Sequence, residues 1–187
     1  LSPSSINATV ANQKGGVIVA EGGQVYMQAA ALGQAVASAL HPGHIDTSGA
    51  QAGVVHVLAD VGQIKVDGSI TANSTNGTAG GDIYIGRDLD TNALAAVGDV
   101  RGATLESQGG FIETSGIYLA TDGVNIKAKD WLLDPSNITI STATDSNVTG
   151  TSPADTTPTS GSATSVVNVG TIQTALCHIH GWQHCRS

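Results

Sequence analysis

The densest group of chemically able side chains lies at the end of the chain, Cys177-His178-Ile179-His180-Gly181-Trp182-Gln183-His184-Cys185. Zinc and softer transition metals favour Cys and His, so Cys177, His178, His180, His184 and Cys185 are the metal-ligand candidates. Their spacing matches no zinc finger, and so short a loop needs a supporting fold to set tetrahedral geometry. The tail, 177–187, also breaks sharply from the composition before it. It is read as a truncation or frameshift product, with adventitious zinc or nickel binding as the alternative. No resident metal or cofactor is expected.

The carboxylates offer less. Enzymes that cleave polysaccharides on a β-helix need acidic groups converging on one strand face, with basic residues to hold the substrate. Here Asp46, Asp67, Asp82, Glu106 and Glu113 are scattered beside glycines, and Lys65, Arg87, Arg101 and Lys127 form no local cluster. Ser, His and Asp all occur, but no Gly-x-Ser-x-Gly elbow places a nucleophile. Gly80-Gly81-Asp82 is not repeated as a calcium-binding nonapeptide array would be. No Arg-Gly-Asp occurs. The expectation is a chain without catalytic residues; a polysaccharide-acting enzyme is the alternative, because repeated folds assemble distant residues on one face.

The elements that would position these residues are short strands. Gly22-Gly-Gln-Val-Tyr-Met27, Ala52-Gly-Val-Val-His-Val57, Gly80-Gly-Asp-Ile-Tyr-Ile85 and Gly109-Gly-Phe-Ile112 line up at intervals of roughly 28–30 residues. Between them Ile64–Val66, Ser69–Thr71, Ala103–Leu105, Val124–Ile126 and Ile138–Ile140 alternate apolar with polar residues, so one face is buried and the other wet. Ile45-Asp-Thr-Ser-Gly49 returns as Ile112-Glu-Thr-Ser-Gly116. Such short strands satisfy their edges by stacking at about 4.8 Å, which predicts an all-β parallel β-helix, or β-solenoid, with a β-sandwich as rival. Inward positions are Val25, Val55, Val57, Ile83, Ile85, Ile112 and Ile126. The glycines are expected at corners that need a positive φ. Residues 29–40 read as a short helical or irregular excursion, because Leu32, Val36 and Leu40 share a helical face before His41-Pro42-Gly43.

Four parts follow: a β-helix segment over 1–140, a Ser/Thr/Pro-rich linker or loop over 141–165, the start of a further rung over 166–176, and the tail. The chain opens on Leu1 without a signal peptide and is read as a fragment. Net charge is −8, with 15 acidic and 7 basic residues. That balance disfavours nucleic acid and anionic membrane surfaces, and no apolar run is long enough to span a bilayer.

The ordered motifs resemble those of large exoproteins of two-partner secretion, the filamentous haemagglutinins and high-molecular-weight adhesins. Most specific is Trp131-Leu132-Leu133-Asp134-Pro135, similar to the Trp-Leu-Leu-Asp-Pro segment after the Glu-Thr-Ser-Gly coil in the adhesin and haem-utilisation exoproteins. The resemblance spans about residues 8–176. It implies a right-handed β-helix, secreted or displayed on the bacterial surface through an outer-membrane two-partner transporter. It also implies contact with a host-cell glycan or protein receptor. The family's Asn-Pro-Asn-Gly and Asn-Pro-Asn-Leu motifs do not occur, so the secretion domain is expected upstream. Haem-carrier binding and contact-dependent toxin delivery are the alternatives within this resemblance. From the residues themselves, Trp131, Leu132 and Leu133 are expected to cap one end of the core, and Asp134-Pro135 to turn the chain.

Overall fold

The computed structural model describes residues 7–31, 35–143, 148–149, 157–158 and 164–180. In chain order its strands are β1 (Ala8–Ala11), β2 (Val17–Val19), β3 (Gln24–Ala29), β4 (Ala37–His41), β5 (His44–Asp46), β6 (Val54–Ala59), β7 (Gln63–Val66), β8 (Ser69–Thr71) and β9 (Asp82–Ile85). They continue as β10 (Val97–Asp99), β11 (Thr104–Gly116), β12 (Tyr118–Ala120), β13 (Asn125–Pro135), β14 (Ile138–Ser141), β15 (Val148–Thr149), β16 (Thr157–Pro158) and β17 (Ser165–Asn168), followed by α1 (Val169–His180).

Pairing is parallel throughout the two large sheets. One sheet runs β1-β4-β7-β10-β12 and the other β2-β5-β8-β11-β9-β6-β3, with β13 added alongside β11. The long β11 joins two ladders: Thr104–Glu106 pair with β8, and Phe111–Thr114 pair with β9. β13 follows β11 across the same bend, with a register irregularity between Ser107 and Phe111. The sheets therefore curl around one apolar interior.

The expected all-β, right-handed parallel β-helix is corrected by this arrangement. The parallel sheets curl into a half-barrel and a 12-residue α-helix packs on it, which is an α/β type of fold. The excursion expected over 29–40 is corrected as well. Ala29 ends β3 and Ala37–Leu40 lie in β4, while Leu32 and Gly33 lie outside the described residues. β4 pairs with β1 on one edge and β7 on the other, and its residues alternate buried and half-buried. Two satisfied ladders outweigh the weak helix propensity of an Ala-rich run.

Strand and core placement follow the alternation. Val25, Val55, Ile83 and Ile112 stack in register, as do Val57 and Ile85, and Ile126 stacks on Leu105 in the adjoining ladder; all seven expected positions are buried. Burying each such Val or Ile contributes about 1.5–3 kcal/mol relative to leaving it exposed.

The run expected to continue as a strand through Leu176 divides instead. β17 pairs with β14, and the chain then enters α1. Asn168 Oδ1 accepts the Gly170 amide hydrogen at 2.7 Å, an N-cap that satisfies one free donor of the first turn. Thr171 and Ala175, four residues apart, turn their buried face to the core. Within the linker region β15 and β16 form an antiparallel pair.

Candidate functional site

The most feature-rich outer surface lies over β3, β6, β9 and β11. Alternation that sends Val25 and Met27 inward sends Gln24, Tyr26 and Gln28 outward. Parallel register then places Tyr26, His56 and Tyr84 in one column. Tyr26 and His56 stack with ring centroids 4.4 Å apart, and His56 stacks on Tyr84 at 5.0 Å. Phe111 extends the column at 5.7 Å with a tilted ring. Tyr84 donates its hydroxyl hydrogen to Asp82 at 3.3 Å. Burial between the two tyrosines holds His56 below the ordinary histidine range, against the pull of Asp90, Asp82 and Asp88. Burial, and then the Asp82 charge, raise the Tyr84 phenol.

Beside this column lies a charged cluster. Arg87 Nε sits 3.0 Å from Glu113 Oε1, off the line a hydrogen bond needs, and its Nη2 contacts the Asp134 carboxylate. Ser115 donates to the same Glu113 oxygen at 2.6 Å. Arg87 thus ties the end of β9 to β11 and β13. The second half of the Trp-Leu-Leu-Asp-Pro block is held here by Asp134, and the first half by Trp131, whose indole donates to Thr114 Oγ1 at 3.1 Å. Trp131 packs on the core, Leu132 is exposed and Leu133 half-buried, and Asp134-Pro135 end the strand. α1 packs against β13 and closes that side of the interior.

The other expected acids are occupied separately. Glu106 receives Lys127 Nζ at 3.2 Å and the Asn73 amide at 2.9 Å. Asp46 accepts the Ser48 backbone amide at 2.9 Å, a local turn bond. Asp99, which sequence reasoning did not single out, is fully buried between Lys65 at 3.1 Å and Arg101 at 2.6 Å. Burial raises its carboxyl, but the Arg101 hydrogen bond and the Lys65 charge outweigh burial and hold it below the usual range. Lys65, Arg87, Arg101 and Lys127 thus find carboxylates that lie far away in sequence, except for Arg101 beside Asp99.

One nucleophile–base contact was missed. Ser69 Oγ lies 2.7 Å from His44 Nδ1, and buried His41 lies alongside. Acyl transfer would also need free backbone donors for an oxyanion. The Gly68 and Ser69 amides instead bond the His41 and Gly43 carbonyls. Among the described residues no carboxylate hydrogen-bonds to His44. The contact is a cross-strand tie from β5 to β8. His41 donates from Nε2 to the Ser69 carbonyl at 2.9 Å, which leaves Nδ1 to accept from the Asn12 amide at 3.3 Å. Burial, with a smaller contribution from His44, lowers its pKa, while the Ser69 carbonyl and Asp67 oppose.

His41 and His56 fix a pH dependence. Their folded pKa values lie below the unfolded value of 6.5, so the unfolded chain binds more protons as pH falls through this range. The stability they contribute is complete above about pH 6.5 and is lost as pH drops toward the folded values. Thermal midpoints should fall between pH 7.5 and 5.0, and less steeply in His41→Gln. A midpoint that is flat or rises on acidification contradicts this.

Of the metal-ligand candidates, Cys177 is disulfide-bonded, so its sulfur is not a free thiolate. The side chains of His178, His180, His184 and Cys185 lie outside the described residues. Among the described residues no group of three or more His, Cys, Asp or Glu could hold a metal ion, and no helix is long and apolar enough to cross a membrane.

The fold and this surface define a half-barrel of curled parallel sheets with polar and aromatic columns on its outside. No protein-family model, curated protein or solved structure matches the chain.

Proposed function

We propose that the chain is a non-catalytic segment of a secreted or surface-displayed bacterial exoprotein of the adhesin and haemagglutinin kind, exported through an outer-membrane two-partner transporter. The observation that carries the reading is the occupation of the acids. Glu113, Glu106, Asp99 and Asp46 each hold a cation, a hydroxyl or a turn amide of their own. Polar bonds of this kind tie one strand to the next, so these side chains serve the scaffold first. The ordered Ile-Asp-Thr-Ser-Gly, Ile-Glu-Thr-Ser-Gly and Trp-Leu-Leu-Asp-Pro segments supply the resemblance to adhesins.

The outward faces of the strands suit shallow polar contacts with a host glycan or protein. The stacked rings do not form a sugar platform, because the faces of His56 and Tyr84 are already covered by their neighbours. Purified protein should be retained, saturably, on immobilised host-cell surface material. The absence of saturable retention on host surfaces of every type tested would overturn the adhesive reading.

A further inference from the structure

The turn that leads from β8 into β9 carries Asn73-Ser-Thr-Asn-Gly-Thr78, and Asn76-Gly77 is the one Asn-Gly pair of the sequence. Residues 75–79 are exposed. An asparagine loses its amide nitrogen when the backbone nitrogen of the next residue attacks its side-chain carbonyl carbon. Glycine in the next position opens the way to that nitrogen, because no Cβ screens it. Even a Cβ built on Gly77 would meet nothing within 4 Å, so the surrounding turn adds no screen of its own.

The atoms that would react are set for this step. Asn76 Oδ1 accepts the Thr78 backbone amide hydrogen at 3.0 Å and lies 2.7 Å from both the Ser74 and the Thr78 hydroxyl oxygens. Those two hydroxyls are 2.8 Å apart and hold two hydrogens for three contacts, so at least one hydrogen ends on Oδ1. Donors already aimed at an oxygen stabilise it as it gains negative charge. Among the described residues no hydrogen bond holds the Gly77 amide or Asn76 Nδ2, which leaves nucleophile and leaving group free. Asn73, in the same turn, is built the other way. It is half-buried, its Nδ2 donates to Glu106 at 2.9 Å, and its Oδ1 accepts the Gln108 amide hydrogen at 2.8 Å.

We propose that Asn76 is a self-modification site, where the folded turn promotes deamidation to aspartate and isoaspartate. Water or hydroxide removes the Gly77 amide proton, and the Gly77 nitrogen forms a bond to Asn76 Cγ. The electron pair pushed onto Oδ1 returns as the Cγ–Nδ2 bond breaks, and the nitrogen leaves as ammonia with a proton from solvent. The cyclic imide then takes up water. Opening at Cγ gives aspartate, and opening at the backbone carbonyl gives isoaspartate, whose main chain is longer by a methylene group. The net change consumes water, releases ammonia and adds a negative charge to an exposed turn.

The test holds the full chain at mildly alkaline pH, folded or unfolded in guanidinium chloride, and maps aspartate and isoaspartate at each asparagine by peptide mass spectrometry. Asn76 should convert several-fold faster in the folded chain than in the unfolded one, while Asn73 of the folded chain stays an amide. Thr78→Val and Ser74→Ala should each slow Asn76 several-fold in the folded chain, with the unfolded rate and the circular dichroism spectrum unchanged. A folded rate equal to or below the unfolded rate overturns the proposal, and so does an Asn73 that converts as fast as Asn76. Folded variants that react at the wild-type rate overturn it too, because the hydroxyls then give no assistance.

Discussion

Replacing Gly81 with alanine is expected to cost at least about 3 kcal/mol, the larger end of overpacking effects. A Cβ at Gly81 would sit on the carbonyl oxygen of Gly53, and the Gly53 carbonyl carbon would lie only 2.9 Å away. The same holds one strand earlier, where a Cβ at Gly53 would meet the Gly23 carbonyl, and one later, where a Cβ at Gly110 would meet that of Gly81. These glycines form a column in which each backbone lies against the last, and a parallel ladder cannot yield at one rung without moving its neighbours. In a chain of this size the thermal midpoint should drop by roughly 6–12 °C. Gly77→Ala is the control: its φ is +80° but nothing lies within 4 Å, so only backbone strain of about 1–2 kcal/mol applies. If both variants melt alike, backbone conformation rather than close approach governs the column.

Ile83→Ala should cost about 2–4 kcal/mol, since Ile83 is fully buried between Val55 and Ile112 in adjoining strands. The stacking leaves the neighbours little room to collapse into the space. Chemical denaturation should show a lower midpoint with an unchanged slope. A loss below about 1 kcal/mol would mean that the site relaxes freely, contrary to a rigid ladder.

The glycine column also shows what could be read in the sequence. The Gly-marked repeats were visible, and so were the strands beginning at Gln24, Val54 and Asp82 and the part of β11 from Phe111 that pairs with β9. Their physical reason differs from the expected one. Gly22 and Gly109 do have positive φ, at 62° and 74°, but Gly53, Gly81 and Gly110 are not among the positive-φ residues and are required by close approach instead. Period-two alternation exposed the core, because a face buried by stacking leaves its mark in every strand.

What stayed hidden depends on tertiary partners. Residues 37–40 satisfy a helical spacing and a strand alternation alike, and only pairing with β1 and β7 decides between them. α1 follows a strand-like Val166-Val-Asn-Val169 run, and its start is set by the Asn168 cap and by the core that receives Ala175. Arg87 and Asp134 are 47 residues apart, and no local signal pairs them. The curl of the sheets rests on β11 and β13 spanning two ladders, which no single repeat encodes.

The claim that this surface binds without catalysing is tested most directly by incubating the purified chain with soluble host and microbial polysaccharides and following both bound and cleaved material. The expected result is retention of intact glycan with no new reducing ends or unsaturated products, unchanged in Asp82→Asn and Glu113→Gln. Cleavage by the wild-type chain that disappears in either variant, while the variant keeps its circular dichroism spectrum, would contradict it.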